Sequence, residues 1–318
     1  MKHPPYHLRP NKAVDRLALI EAIRHLEKIY DISEYTYYSL GGPYLEEFRD
    51  LYELYPTLKM ISIEEDKETI KRQKFHLPFR TIELKEDKLK SFLTAYEPEG
   101  GKSIFWLDYT DMSYANFEDF MYLLAKVPVG SLIKITLRAE SKEYFDKNNK
   151  VGSGAERFRR RFGAIMPDPS TDPPRKHNEF ASLVQGMIQI AAQKALLASG
   201  VLAYQPISSF FYSDGTHMLT LTGIVCEKGK EREIRRVFKQ WQFANLSWDS
   251  PREIAVPFLS VKERLHLCRH LPCKRKAGST LHKKLGYLIE ENKEETEKKL
   301  ESYAKYYRCY PYFVKAVP

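Results

Sequence analysis

The stretch "YTYYSLGGPYLEEFRDLYELYPTLKMISIEED", residues 35–66, decides the fold because its pattern changes character three times. An aromatic and β-branched run leads into Gly41-Gly42-Pro43, then a run with apolar residues at helical spacing, and then an apolar run that ends in Glu64. Aromatic and β-branched residues favour strands, a glycine pair permits a tight turn, and Pro43 suits the first turn of the following helix. The stretch therefore predicts strand, turn, helix and strand, the unit that holds nucleotide-like cofactors in α/β proteins.

The same alternation continues as far as Glu140 and predicts five strands separated by helices. The strands are nearly continuous apolar runs, as buried parallel strands are, so the expected core is a parallel sheet with helices on both faces. Residues 141–178 are polar and proline-rich and are predicted to form a lid or insertion. Beyond a long helix, Asp214-Gly215 joins two strands, which predicts an antiparallel hairpin over residues 201–228. Turn chemistry alone accounts for Asp214 at its tip.

These patterns predict three parts of the chain. Residues 1–30 form an N-terminal arm and an amphipathic helix, with Asn11 as its N-cap. Residues 31–230 form the α/β domain, and residues 231–318 form a small, basic, helical domain in which Ser260 and Glu263 have capping-box spacing.

Charge and composition indicate a protein with an acidic partner. The net charge is +9 and the pI about 9.1, which favours a nucleotide, a nucleic acid or an acidic protein as partner. Two basic clusters are the expected contacts for a nucleic acid or a protein complex: Arg157, Arg159, Arg160 and Arg161, and then Lys274, Arg275 and Lys276. Because neither a membrane-spanning run nor a signal peptide is apparent, the sequence predicts a cytoplasmic protein without a membrane partner.

Cysteine and histidine residues give no strong metal signal. The four cysteines are scattered and form no CxxC pair, and His266 and His270 near Cys268 and Cys273 are more typical of an ordinary helix.

A second stretch carries a family resemblance. In "SIFWLDYTDMSYANFEDFMYLLAKVPVGSLI", residues 103–133, an apolar strand ends in Asp108, a loop with Tyr114 follows, and a helix and a glycine turn lead to the next strand. Together with the hairpin at residues 201–228, this order resembles the class I S-adenosylmethionine-dependent methyltransferases, and among them the small-molecule O-methyltransferases. The resemblance covers about residues 10–228. It implies a doubly wound, Rossmann-like α/β sheet that ends in an antiparallel hairpin, with S-adenosylmethionine as cofactor.

The resemblance also implies which residues hold the cofactor. Gly41 and Gly42 would face its methionine moiety, where backbone N–H groups and a helix N-terminus are available. Glu64 would accept both ribose hydroxyls, with Glu65 as the neighbour that could replace it. Asp87, or equally Glu86, would recognise the adenine, and Asp108 would also contact the cofactor.

Asp108 and Arg138 are the expected catalytic residues. Asp108 ends a central strand at the edge where open α/β sheets bind ligands, and it could bind a metal, act as a base or orient the substrate. Metal-dependent members of the family carry an Asp-Asn pair where this chain has Arg138 and Glu140, so the sequence predicts no metal and an anionic ligand.

Three further residues are predicted to bind the substrate. Arg9 and Lys12, beside Asn11, could hold an acidic or phosphorylated group, and Tyr109 follows the candidate catalytic acid. The predicted function is O-methyl transfer to an unidentified small molecule or nucleotide, and the lack of an Asn/Asp-Pro-Pro-Tyr motif counts against N-methylation of DNA bases. Two alternatives stay open: a diverged enzyme that acts on a phosphorylated sugar or nucleotide, as phosphoribosyltransferases do, and a subunit of a bacterial anti-phage defence complex.

Overall fold

The computed structural model describes residues 9–98, 100–144, 151–273 and 276–311. It forms two compact units. The sheet unit comprises Leu19–Phe211 and Thr216–Arg252, and the helical unit comprises the described parts of Met1–Ala18, Tyr212–Gly215 and Glu253–Pro318. The boundaries at residues 30 and 230 that the sequence suggests stay a prediction.

Eight strands form one sheet with the order β3-β2-β1-β4-β5-β7-β6-β8. In chain order they are β1 (Tyr35–Ser39), β2 (Lys59–Glu64), β3 (Ile82–Glu86), β4 (Lys102–Asp108), β5 (Leu132–Arg138), β6 (Leu202–Ser213), β7 (His217–Glu227) and β8 (Arg252–Ile254). Strands β1 to β5 are parallel to one another, and β7 runs antiparallel to β5. The doubly wound sheet with a C-terminal antiparallel hairpin is therefore confirmed.

Eleven α-helices lie within the described residues. They are α1 (Pro10–Leu26), α2 (Glu46–Leu54), α3 (Lys67–His76), α4 (Leu89–Ala95), α5 (Tyr114–Lys126), α6 (Val151–Phe162), α7 (His177–Leu196), α8 (Glu231–Phe238), α9 (Val261–Cys268), α10 (Ala277–Leu285) and α11 (Lys293–Tyr306). No helix in these ranges is long and apolar enough to cross a membrane.

The core of the sheet unit lies between the sheet and the pair α5 and α7. Phe117 and Phe120 of α5 and Val184 and Ile188 of α7 are fully buried in one apolar cluster with side chains of β4, β5 and β7. Their burial removes a large apolar area from water, which is the dominant favourable term in folding. This packing fixes the central strands and hence the positions of the residues at their ends.

Two helix starts differ from the sequence predictions. Helix α2 begins at Glu46, after Leu45 in the left-handed region (φ 49°), and so leaves Pro43 outside the helix. Helix α1 begins at Pro10, so Asn11 lies inside it and is not its N-cap. The main-chain N–H groups of Asn11 and Lys12 instead donate to the carboxylate of Asp214, at 3.4 and 2.9 Å. The explanation of Asp214 by turn chemistry alone was therefore wrong.

The helical unit contains α9, α10 and α11. The capping box of Ser260 and Glu263 is confirmed, because each side chain binds the other residue's main-chain N–H. Helix α10 ends at Leu285, before Gly286, whose φ of 83° is favoured only for glycine.

Candidate functional site

Strand register places two carboxylates on either side of the turn that follows β1. Ser39 is level with Ser62 on β2 and with Trp106 on β4. Glu64 and Asp108 each lie two residues farther along and end their strands, and Gly41 follows the end of β1 by two residues. Because neighbouring strands are about 4.8 Å apart, the backbones of the two acids are separated by roughly 10 Å. The sheet thus brings together three predicted site residues.

The carboxylate of Glu64 is half-buried at the end of β2. Its Oε1 accepts a hydrogen bond from the Asp66 main-chain N–H at 2.8 Å. Burial raises the pKa of Glu64, and the nearby main-chain donors only partly offset this. The Asp87 N–H donates to the Glu64 carbonyl at 3.1 Å, so the ends of β2 and β3 are adjacent, as the adenine prediction for Asp87 requires.

Packing explains why residue 41 is glycine. A Cβ atom there would lie 2.5 Å from Ser62 Oγ and 2.9 Å from the Phe48 ring. The Gln73 side chain, fully buried, donates to the Gly41 carbonyl at 2.5 Å and to that of Gly42 at 3.5 Å. The turn is therefore held tightly against β2 and α3, and whether Gly41 and Gly42 contact a cofactor stays a prediction.

Glu47 is a site residue that the sequence reasoning missed. Its side chain is 8% exposed, and its Oε1 accepts a hydrogen bond from Ser39 Oγ, at the end of β1, at 3.2 Å. A third carboxylate therefore lies at the end of β1. In the sequence, the only indication of this carboxylate is the pair Glu46-Glu47 at the start of α2. The geometry of the turn determines which of the two side chains points towards Ser39.

Asp108 and Arg138 lie on the same face of the sheet. Asp108 is level with Thr136 on β5, and Arg138 ends that strand two residues later, so alternation directs both side chains to one face. The Arg138 N–H donates to the Asp111 carbonyl at 3.2 Å, which joins the loop after β4 to β5. The two predicted catalytic residues thus end adjacent strands.

Tyr109 takes the opposite direction from Asp108. It is buried in the cluster that faces α5, and its hydroxyl donates to Asp119 Oδ2 at 3.2 Å. Burial raises the pKa of Tyr109 far above its ordinary value, and the charge of Asp119 adds to the effect. The hydrogen bond to α5 gives Tyr109 a structural role, and its predicted contact with substrate stays a prediction.

The remaining predicted contacts belong to other segments of the chain. Arg9 and Lys12 belong to the helical unit, and their contact with a substrate stays a prediction. In the first basic cluster Arg159 pairs with Asp172 at 2.9 Å, while the other arginines are exposed; Lys276 is also exposed. Lys274 and Arg275 lie outside the described residues. Contacts of these clusters with a nucleic acid or protein also stay predictions.

A group of three possible metal ligands lies elsewhere than the sequence suggested. Glu140, His177 and His217 are the only such group that was found within the described ranges. The four cysteines are free thiols.

Comparison with known proteins identifies the family. The profile of the family described as "Putative O-methyltransferase" matches residues 4–318. The chain belongs to this family. The predicted class I methyltransferase resemblance is thereby confirmed, and neither the family nor the fold gives support to the phosphoribosyltransferase-like or anti-phage alternatives.

Several solved structures are similar to this O-methyltransferase family member at low sequence identity. Trm1 from Pyrococcus horikoshii, solved with S-adenosylmethionine, is 12% identical over 71% of this chain and 57% of its own, with a TM-score of 0.47. Human N-acetylserotonin methyltransferase, in complex with the same molecule, is 15% identical over 67% of this chain and 55% of its own, with a TM-score of 0.33. The chain spans about half the length of the first solved structures it matches. No curated protein matches the sequence.

Proposed function

We propose that this protein transfers a methyl group from S-adenosylmethionine to an oxygen of a small-molecule acceptor. The observation that carries the proposal is the half-buried Glu64 carboxylate at the end of β2, with Asp108 at the end of β4 on the other side of β1. Ligands of open α/β sheets bind at this edge, and an acid at the end of the second strand is placed to accept ribose hydroxyls.

The charges at this edge suit the proposed cofactor. S-adenosylmethionine carries a sulfonium and an ammonium group, and the ends of β1, β2 and β4 offer the carboxylates of Glu47, Glu64 and Asp108. Opposite charges attract most strongly where burial lowers the local dielectric. A phosphorylated sugar would meet the same three acids with like charge. The three carboxylates at this edge therefore favour S-adenosylmethionine over a phosphorylated sugar as the ligand.

Positioning is the main contribution expected of the protein. Bound S-adenosylmethionine supplies an activated methyl group, whose bond to sulfur breaks with both electrons going to sulfur as the bond to the acceptor oxygen forms. In this proposal Asp108 accepts or orients the proton that the acceptor hydroxyl loses, and Arg138 holds an anionic part of the acceptor. By holding the methyl donor and the acceptor oxygen in line, the protein converts a bimolecular reaction into an effectively unimolecular step.

Replacing Glu64 should weaken cofactor binding. We expect Glu64→Ala to lower the affinity for S-adenosylmethionine by about 10- to 100-fold, because hydrogen bonds to a charged group contribute roughly 1.5–3 kcal/mol. Isothermal titration of the purified chain measures this change. Glu65→Ala is the matched control: the neighbouring acid is exposed, and its loss should leave the affinity unchanged. Absence of binding by the unmodified protein, or equal affinities in both variants, would overturn the assignment.

Cofactor binding should also depend on pH through Glu64. The ionised carboxylate accepts the ribose hydroxyls, and its pKa is raised above the ordinary 4.5 by burial. Affinity should therefore be constant near neutrality and fall as the pH drops through this raised pKa, starting at a higher pH than for an exposed glutamate. Binding titrations between about pH 7 and about pH 4.5 measure this fall in affinity. The Glu64→Gln variant should bind S-adenosylmethionine more weakly, and its affinity should not fall over this pH range. If Glu64→Gln shows the same loss of affinity at low pH, a group other than Glu64 is responsible for it.

A further inference from the structure

Glu140, His177 and His217 lie close together although they are far apart in the sequence. The Nδ1 atom of His217 is 2.9 Å from Glu140 Oε2, and that of His177 is 3.7 Å from Glu140 Oε1. The two imidazole rings are stacked, with their centroids 3.5 Å apart and their planes 8° from parallel. The side chains can each offer one ligand atom within 4.8 Å of the others.

Two polar atoms in this cluster have no hydrogen-bond partner among the described residues. Glu140 Oε1 and His177 Nδ1 are both buried and face each other at a distance too long for a hydrogen bond. A buried polar atom without a partner costs free energy, so each such atom calls for an explanation. One ion that binds both atoms would remove both costs.

We propose that Glu140, His177 and His217 bind one divalent transition-metal ion. Two imidazoles and one carboxylate suit Zn²⁺, Fe²⁺, Co²⁺ or Ni²⁺, whereas Mg²⁺ and Ca²⁺ prefer oxygen ligands alone. Nitrogen ligands of tetrahedral zinc, bound at about 2.0–2.1 Å, lie roughly 3.4 Å apart, so the two rings would have to turn out of their stacked arrangement until both planes contain the ion. The side chains are 14%, 32% and 28% exposed in chain order, which gives an ion access from solution. Three protein ligands leave a coordination position for water or substrate.

The framework of the cluster comes from three ordered elements. Glu140 follows β5 by two residues, His177 is the first residue of α7, and His217 is the first residue of β7. The Ala139 N–H donates to the His217 carbonyl at 2.8 Å and so joins the segments that carry two of the ligands. The inference goes beyond the proposed methyl transfer and does not depend on it. It also opposes the sequence-based expectation of no metal, which considered Arg138 but not the two distant histidines.

Cobalt binding tests the proposal directly. The purified full-length chain is stripped with a chelator and titrated with Co²⁺, whose visible absorption reports imidazole and carboxylate coordination, and Zn²⁺ is then added as competitor. We expect one ion per chain, displaced by Zn²⁺. Affinity should fall at least about tenfold in His217→Ala and in Glu140→Gln, since even residues that only support metal ligands change affinity by 10- to 100-fold. His282→Ala is the matched control, because His282 lies 3.3 Å from a single carboxylate, that of Glu297, outside the cluster.

Thermal unfolding gives an independent measurement that separates metal binding from folding. Zn²⁺ should raise the midpoint of the unmodified chain and of His282→Ala but not of His217→Ala, because a ligand stabilises only the state that binds it. Glu140→Gln keeps the size of the side chain and so serves if His217→Ala fails to fold. Cobalt affinity that is the same in the unmodified chain and Glu140→Gln, or no stoichiometric binding at all, would overturn the proposal.

Discussion

Alanine at position 278 is expected to destabilise the helical unit by about 3 kcal/mol, the upper part of the range for overpacked sites. Gly278 lies in the first turn of α10, where α10 contacts α11. A Cβ atom there would overlap the Glu297 carbonyl oxygen and would lie 2.9 Å from its carbon. These are main-chain atoms inside a helix, so they cannot rotate away as a flexible side chain could. The two helices would have to separate.

Separation of α10 from α11 would also break a helix cap. The Gly278 N–H donates to Glu301 Oε2 at 2.6 Å, so a carboxylate of α11 satisfies one of the free donors at the start of α10. Urea unfolding measures the loss of stability. Gly163→Ala is the matched control, since nothing lies within 4 Å of its Cβ position and its φ is not positive. Equal midpoints for the two variants would refute the steric argument.

The fold was predictable because its signals are local. The five parallel strands and the helices between them are marked by the spacing of their own apolar residues, and Asp214-Gly215 marks the hairpin, whereas the short edge strand β8 carried no such signal. Glu64 and Asp108 could be identified as candidate site residues for the same reason: each is the last residue of its strand, and the ends of parallel strands share one edge.

Contacts between distant residues were not predictable in the same way. Glu140, His177 and His217 lie on three elements, and no spacing in the sequence indicates that two of these side chains will stack. Glu47 approaches Ser39 only because α2 begins late, after the left-handed Leu45. These features depend on turn geometry and tertiary packing, which override local propensity.

Loss of the Asp214 carboxylate is expected to destabilise the chain by roughly 2–3 kcal/mol near neutral pH, because an N-cap contributes about 1–2 kcal/mol and further buried donors lose their acceptor. The two oxygens of Asp214 serve different donors. Oδ1 accepts from the main-chain N–H and the side-chain amide of Asn11, at 3.4 and 2.8 Å, and Oδ2 from the Lys12 N–H at 2.9 Å. The Asp214→Asn variant should therefore also be less stable than the unmodified chain. Its side-chain NH₂ group is a donor and would replace an oxygen that accepts a hydrogen bond from Asn11 or Lys12.

The stability difference between the unmodified chain and Asp214→Ala should depend on pH. Burial raises the pKa of Asp214 above the ordinary 3.8, and the hydrogen bonds from Lys12 and Asn11 offset this only in part. A raised pKa means that the folded chain binds the proton more tightly than the unfolded chain. The part of its contribution that comes from proton binding is therefore complete below the ordinary pKa and is lost as the pH rises through the raised one, where only the hydrogen bonds of the ionised carboxylate still stabilise the fold.

Urea unfolding of the unmodified chain and Asp214→Ala over this pH range measures that dependence. The difference in free energy of unfolding between the two chains should grow as the pH falls from neutrality, because the folded unmodified chain binds the Asp214 proton more tightly. Groups that titrate in both chains cancel in this difference. A difference that instead shrinks on acidification would mean that the hydrogen bonds at the start of α1 stabilise the ionised carboxylate more than burial destabilises it. The cap would then act mainly through its charge on the helix N-terminus.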